Sequence, residues 1–136
     1  YKRMESDTGK IGVILVDHGS KHTEANDMLV EVAQLTRERL GAAIVEHAHM
    51  ELAEPTVAQA FASCVRQGAG HVVVHPYFLA PGRHSTVDIP RLAAEAAAQL
   101  PGVTFAVTGP LGIDPRLIDL VAQRVVEALE PEISRR

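Results

Sequence analysis

The sequence predicts an α/β fold, a single-domain open parallel four-stranded sheet with helices on both faces, and three observations carry that reading. Short β-branched runs alternate with longer stretches of helical period, the signature of consecutive βα units. One run, His71 to Tyr77 with Val72, Val73 and Val74 in succession, is continuously apolar, as a strand covered on both faces must be. No interdomain linker interrupts the pattern, and 136 residues are enough for one hydrophobic core without disulfide or metal staples.

The first strand is read over Ile11 to Val16. After it Met28, Leu29, Val32, Ala33 and Leu35 recur at helical spacing and Gly41 supplies the stop, which places the first helix at residues 23 to 40. Ala43 to Ala48 is the second strand. Pro55 stands at a first-turn position, the stripe Val57, Ala60, Phe61, Cys64 and Val65 follows, and Gly68 ends a helix that carries Cys64 on its buried side. His71 to Tyr77 is the third strand and central. Ser85, with Asp88 three residues on, reads as the cap of a third helix through Arg91 to Gln99, ended by Pro101. Val103 to Val107 is the fourth strand, and Gly109, Pro110 and Gly112 form a loop. Asp114 and Pro115 then open a last helix with Leu117, Leu120, Val121, Val125 and Leu129 along one face. Residues 1 to 10 and 130 to 136 read as polar tails around a domain at 11 to 129.

Composition removes several functions. Thirteen Lys and Arg against seventeen Asp and Glu give a net charge of -4, with no basic run interleaved with aromatics, so nucleic acid is excluded as a partner. No apolar run approaches the roughly 20 residues of a membrane span, which argues against a membrane-embedded chain. Cys64 alone makes neither an internal disulfide nor a thiolate metal site, which fits a reducing compartment. The expected location is the cytoplasm, or a plastid stroma if Tyr1 marks a processed end.

Seven histidines are the chemically unusual feature. Ligands of open α/β sheets bind outside the carboxyl ends of the strands, so the segments just after each strand are where chemistry belongs. These are Asp17-His18-Gly19-Ser20, then His49-Met50-Glu51, then the loop ending Gly82-Arg83-His84, then Thr108-Gly109-Pro110. His18, Glu51 and His84 thus share one rim. Two imidazoles and a carboxylate suit a divalent first-row metal with an open coordination position. If the second strand continues, His47 and His49 share a face with Glu51, which fits either supporting partners or a solvent-facing row. His22 and His71 fall at element edges, and His75 reads as a satisfied core residue.

Competing chemistries lack their parts. There is no phosphate-cradling glycine loop, Ser20 is not in a nucleophile elbow, and Cys64 belongs to an apolar stripe. Asp17 beside His18 would repel a phosphate, where a histidine phosphatase needs an arginine.

Val-Asp-His-Gly-Ser at 16 to 20, Ala-His-Met-Glu-Leu-Ala-Glu-Pro at 48 to 55, and Pro-Gly-Arg-His at 81 to 84 with Asp88-Ile89-Pro90 resemble the small class II tetrapyrrole chelatases of the CbiX and SirB type. The resemblance runs in order from about Ile11 to Leu129. It implies a chelatase half-domain that inserts Fe2+ or Co2+ into sirohydrochlorin for sirohaem or cobalamin synthesis, with iron modestly favoured and nickel a remaining option. It also implies that His18 and His84 hold the metal with Glu51 assisting, and that two copies form a homodimer across the cleft. Nothing after Cys64 can hold the iron-sulfur cluster of the plant relatives, so no cluster and no permanently bound cofactor are expected.

Metallation needs the ion partly stripped of water and two pyrrole protons removed; His18 and His84 suit the first task, and Glu51 the second as proton acceptor. Sirohydrochlorin is rich in carboxylates, so this acidic chain must bind it through local cations, with Lys21 and Arg83 nearest. Ser20, Tyr77 and Phe78 are candidates for the ring pocket, with core packing the competing role of the two aromatics. The alternative function is a tetrapyrrole or metal carrier using the same histidines, which needs no proton acceptor.

Overall fold

The apolar run at residues 11 to 16 becomes the middle of a longer strand, β2 (Gly9–Asp17), in a computed structural model that describes residues 5, 6, 9–41 and 44–129. β3 (Val45–His49) lies parallel along one edge of β2, in register from Val13↔Val45 to Asp17↔His49. β4 (Ala69–Pro76) lies parallel along the other edge, and β5 (Thr104–Val107) is added outside β4. The parallel order is therefore β3-β2-β4-β5, with β2 and β4 internal, as the apolar character of both runs requires. A two-residue strand, β1 (Glu5–Ser6), pairs antiparallel with Gly9 and Lys10. Residues 5, 6, 9 and 10 of the segment read as a polar tail are thus paired into the sheet, and residues 1–4, 7 and 8 lie outside the described residues. β2 begins before the register of β3 does, which leaves an open edge on which the chain folds back. Ala43 and the segment 130–136 lie outside the described residues.

Four helices follow the expected pattern: α1 (Thr23–Leu40), α2 (Val57–Arg66), α3 (Ile89–Ala98) and α4 (Pro115–Leu129). α1 has the expected bounds, and Gly41 ends it in a left-handed conformation with its N–H bonded to the carbonyls of Arg37 and Glu38. α2 starts later than expected. Pro55 precedes it, and Thr56 caps it in a reciprocal box with Gln59. The expected Ser85 cap is replaced by a π-helical turn, His84–Asp88, that runs into α3. Ser85 is buried, and its hydroxyl donates to the Gly82 carbonyl and accepts from the Gly82 N–H, closing the preceding loop instead of capping the helix.

The two faces of the sheet are filled by alternate residues of each strand. Val13 and Leu15 of β2 and Val45 of β3 meet Leu29 and Ala33 of α1. Ile14, Val16, Val72 and Val74 turn to the other face and meet Phe61 and Cys64 of α2 and Ile89 and Ala93 of α3. Fully buried Phe61, edge-on to Phe105, alone contributes about 1.5–3 kcal/mol of transfer free energy. Contact between α2 and the sheet is close at Gly12, where a Cβ would sit 3.0 Å from Cys64 Cβ and Sγ and the neighbouring side chain would have to give by a few tenths of an ångström.

α4 departs from this plan. Its apolar stripe exists, but the helix contributes no buried residue, and Leu120, Val121, Val125 and Leu129 are all exposed. Beside α1, the sheet face leaves a groove lined by Val13, Leu15, Val32, Leu40, Val73 and Tyr77.

Candidate functional site

The strand order dictates where a ligand can enter. From β2 the chain steps to β3 on one side and then returns across the sheet to β4 on the other, so a crevice opens at the carboxyl ends around β2. The loops that follow β2, β3 and β4 line it.

The first two of these loops are zipped together by the backbone. Met50 N–H donates to the Asp17 carbonyl at 2.9 Å, and Glu51 N–H donates to the His18 carbonyl at 3.1 Å. Gly19 makes this approach possible. Its φ is 97°, and a Cβ there would stand 1.9 Å from the Glu51 carbonyl oxygen, a distance no side chain can occupy. Just beyond Glu51, Leu52 takes a left-handed φ of 70°, a conformation costing a non-glycine residue about 1–2 kcal/mol. The strain shapes the turn that carries the carboxylate.

The side chains of the zipped residues then meet: His18 Nε2 is 2.8 Å from Glu51 Oε1. His18 Nδ1 donates to the Gly19 carbonyl at 3.1 Å, so Nε2, the nitrogen presented to the crevice, meets the Glu51 carboxylate through a shared proton that must leave before Nε2 can bind an ion. The His84 ring comes from the third loop, its centroid 5.2 Å from that of His18 and stacked 6.1 Å from Phe78. Asp88, one turn further on, accepts from His84 Nδ1 at 3.0 Å, so His84 also keeps Nε2 for another partner. A histidine oriented by a carboxylate on Nδ1 is the usual support for a metal ligand. Among the described residues no three His, Cys, Asp or Glu side chains already stand in the arrangement of a metal centre. His18 and Glu51 are engaged with each other, so binding an ion through His18 Nε2 requires that this bond open.

The remaining expected residues are placed as follows. Lys21 and Arg83 are exposed on the loops after β2 and β4, with Arg83 Nε 3.9 Å from Asp88. Ser20 is turned away to the start of α1, where its backbone exchanges two hydrogen bonds with the Asn26 amide and its hydroxyl accepts from His22 N–H. Phe78 joins both roles, packing on the core and stacking on His84. Tyr77 packs on the α1 side, next to His75, and lines the groove there. Sequence reading missed Asn26 as the clip on the His18 loop, and Asp88 as the partner of His84. The spacing of four residues on a helical turn was the available signal for the latter.

His49 is not solvent-facing: it is 1% exposed, with Nδ1 2.5 Å from Asp17 Oδ1. Its neighbour His47 is half-buried and held below its ordinary pKa by desolvation, reinforced by His49 and opposed by Glu46 and Asp17. His75 is shifted down likewise by burial, with Thr108 Oγ1 2.7 Å from its Nδ1. Burial, with a smaller push from Glu46, raises the Cys64 thiol to about 12, so it is inert as a nucleophile.

The family model described as CbiX matches residues 12–128. The chain belongs to the CbiX family. Within that family it is 50% identical over 118 residues to the chloroplastic sirohydrochlorin ferrochelatase of Arabidopsis thaliana, covering 87% of this chain and 52% of that protein. It is 32% identical over 129 residues to the sirohydrochlorin cobaltochelatase of Methanosarcina barkeri, covering 90% of this chain and 99% of that one. Among solved structures, the sirohydrochlorin chelatase SirB from Bacillus subtilis subspecies spizizenii, in complex with cobalt, matches with a TM-score of 0.82 and 31% identity, over 87% of this chain and 50% of that one. This CbiX-family chain thus spans about half the length of the curated relatives it matches first, and nearly all of the Methanosarcina protein.

Proposed function

We propose that this CbiX-family chain is a sirohydrochlorin chelatase that takes Fe2+ or Co2+ as its metal substrate. The observation that carries the reading is the convergence of His18, Glu51 and His84 at the carboxyl-end crevice, in a family whose similar members are named for iron or cobalt insertion. His18 and His84 each hold Nδ1 on an oxygen acceptor and offer Nε2, so both imidazoles hold the ion, weakly enough to release it. When His18 Nε2 turns from Glu51 to the ion, the proton that joined them leaves through Glu51 to solvent, and the carboxylate left behind can accept a pyrrole proton. Insertion and proton removal are thereby coupled through one hydrogen bond. Phe78 backs His84 on one side, while exposed Arg83 and Lys21 are placed to meet substrate carboxylates. The metal is cargo, and the reaction as proposed needs no resident cofactor and no cluster.

We further propose a homodimer with the cleft between subunits. It is supported by relatives of both one and two lengths of this chain, and by the uncovered apolar stripe of α4 beside an uncovered apolar groove. Among the described residues no helix is long and apolar enough to cross a membrane. From the name of the Arabidopsis relative we propose a plastid, with the cytoplasm as the alternative location.

Anaerobic absorbance with sirohydrochlorin and Fe2+ or Co2+ tests the function, comparing the wild type with His18→Ala and His84→Ala. Multiple-turnover metallation lost in both variants is expected. Tetrapyrrole binding without acceleration over the uncatalysed rate would replace the chelatase with a carrier.

A further inference from the structure

On the α1 face of the sheet Val13, Leu15 and Val45 pack on α1, the half-buried His47 stands opposite Leu15 with its ring 5.7 Å from that of His49, and the last registered pair is Asp17↔His49. There a carboxylate and an almost fully buried imidazole face each other across the two strands at 2.5 Å. A buried polar pair of this kind is a poor way to stabilise a fold, because well-packed apolar residues do as well or better without the desolvation cost. What such a pair supplies is fixed geometry. Each member stands at the end of its strand. The residue after Asp17 is His18, and two residues after His49 comes Glu51. The backbone bonds from Met50 N–H to Asp17 and from Glu51 N–H to His18 continue the same zip outward from the pair. The His18–Glu51 contact of 2.8 Å therefore rests directly on the Asp17–His49 contact beneath it.

We propose that Asp17 and His49 are positioning residues for the reaction: their buried bond locks the ends of β2 and β3 so that the Glu51 carboxylate is held at the His18 imidazole. The proposal rests on the chelatase reading above. Neither residue reaches the substrate. They act through Glu51, and the consequence is a particular pattern of non-additivity.

The test is a mutant cycle on the full chain, with metal insertion into sirohydrochlorin measured at steady state and thermal melting recorded alongside. Asp17→Ala removes the pair at its partly exposed end, His49→Leu removes it at its buried end, and Asp17→Asn keeps an oxygen that can accept from His49 Nδ1. Each of the first two should lower kcat by about 10–100-fold, the cost typical of losing an orienting partner, with KM for the tetrapyrrole little changed. Combining the two should cost no more than either alone, and Asp17→Asn should restore most of the loss. On a Glu51→Gln background, Asp17→Ala should cost less than about twofold. An equal loss in both backgrounds, or a loss that follows melting temperature alone, would overturn the positioning role. So would full activity of both folded variants. A wild type that never exceeds the uncatalysed rate would instead strike the chelatase reading, and this inference would fall with it.

Discussion

His18 and Glu51 leave different strands and meet at 2.8 Å because a backbone bond joins the same two residues, Glu51 N–H to the His18 carbonyl. The sheet register thus sets the two backbones side by side, and the two exposed side chains meet across that bond. Glu51 is also exposed, so removing its charge leaves no buried group stranded. Glu51→Gln should lower metallation turnover by about 10²–10⁴-fold, the range for loss of a general base, while melting stays within about 0.5 kcal/mol of wild type. Stopped-flow metallation together with calorimetry checks both. A large melting loss with modest rate loss would make the carboxylate structural.

Asp88 gives a second, separable expectation. It accepts from His84 Nδ1 at 3.0 Å and is only 17% exposed, with the cations of Arg83 and Arg91 each 3.9 Å away. Asp88→Ala should weaken Co2+ binding by about 10–100-fold, while Asp88→Asn, which still offers an oxygen, should fall between. Titration followed by the visible bands of bound cobalt reads the difference directly.

Much of this was legible in sequence because the signals were local. The β-branched runs gave the strands to within a few residues, and α1 was bounded by its own periodicity and by Gly41. Topology put the three site residues on one rim just after the strand ends, and the resemblance implied their roles. What was missed depends on partners distant in sequence. Ser85 with Asp88 looks like a cap, yet the Ser85 hydroxyl is spent on Gly82 and the Asp88 carboxylate on His84. His49 could not be sorted between a supporting and a solvated role until Asp17 was placed opposite it. A stripe on α4 shows that a face is apolar and says nothing of which surface covers it.

Glycine at position 19 provides a steric test of the zip. Gly19→Ala would force a Cβ to within 1.9 Å of the Glu51 carbonyl, so the two loops must part. Gly102→Ala is the control: its φ of 86° is also left-handed, but open space surrounds it, so it pays only the backbone cost of about 1–2 kcal/mol. Gly19→Ala should cost a further 1–3 kcal/mol, roughly the price of overpacking, and abolish turnover. Urea unfolding of the two variants measures the contrast.

Acid should destabilise the fold through His47 and His75. Burial holds both below the ordinary value of 6.5, so the unfolded chain binds their protons first. Stability present above pH 6.5 is therefore lost as the pH falls through 6.5 towards the folded-state values. Melting temperature should drop between pH 7.5 and pH 5.5, and His47→Gln with His75→Gln should flatten that slope. A wild-type curve flat over this range would contradict the assignment.

α4 carries the last expectation. Val121 and Val125 are 60% and 58% exposed, one turn apart, on a helix that buries nothing within its own chain. Each would gain about 1.5–3 kcal/mol on full burial, and a second copy offers both the like helix and the groove beside α1 to bury them. A lysine at this seam must be desolvated without a partner, so Val121→Lys should turn a dimer into a monomer in sedimentation velocity while the far-ultraviolet spectrum is kept. Because the cleft is proposed to lie between subunits, the monomer should also lose turnover even though His18, Glu51 and His84 are intact. A Val121→Lys protein that stays dimeric would move the interface to another face, and one that is monomeric yet fully active would show that a single copy completes the site.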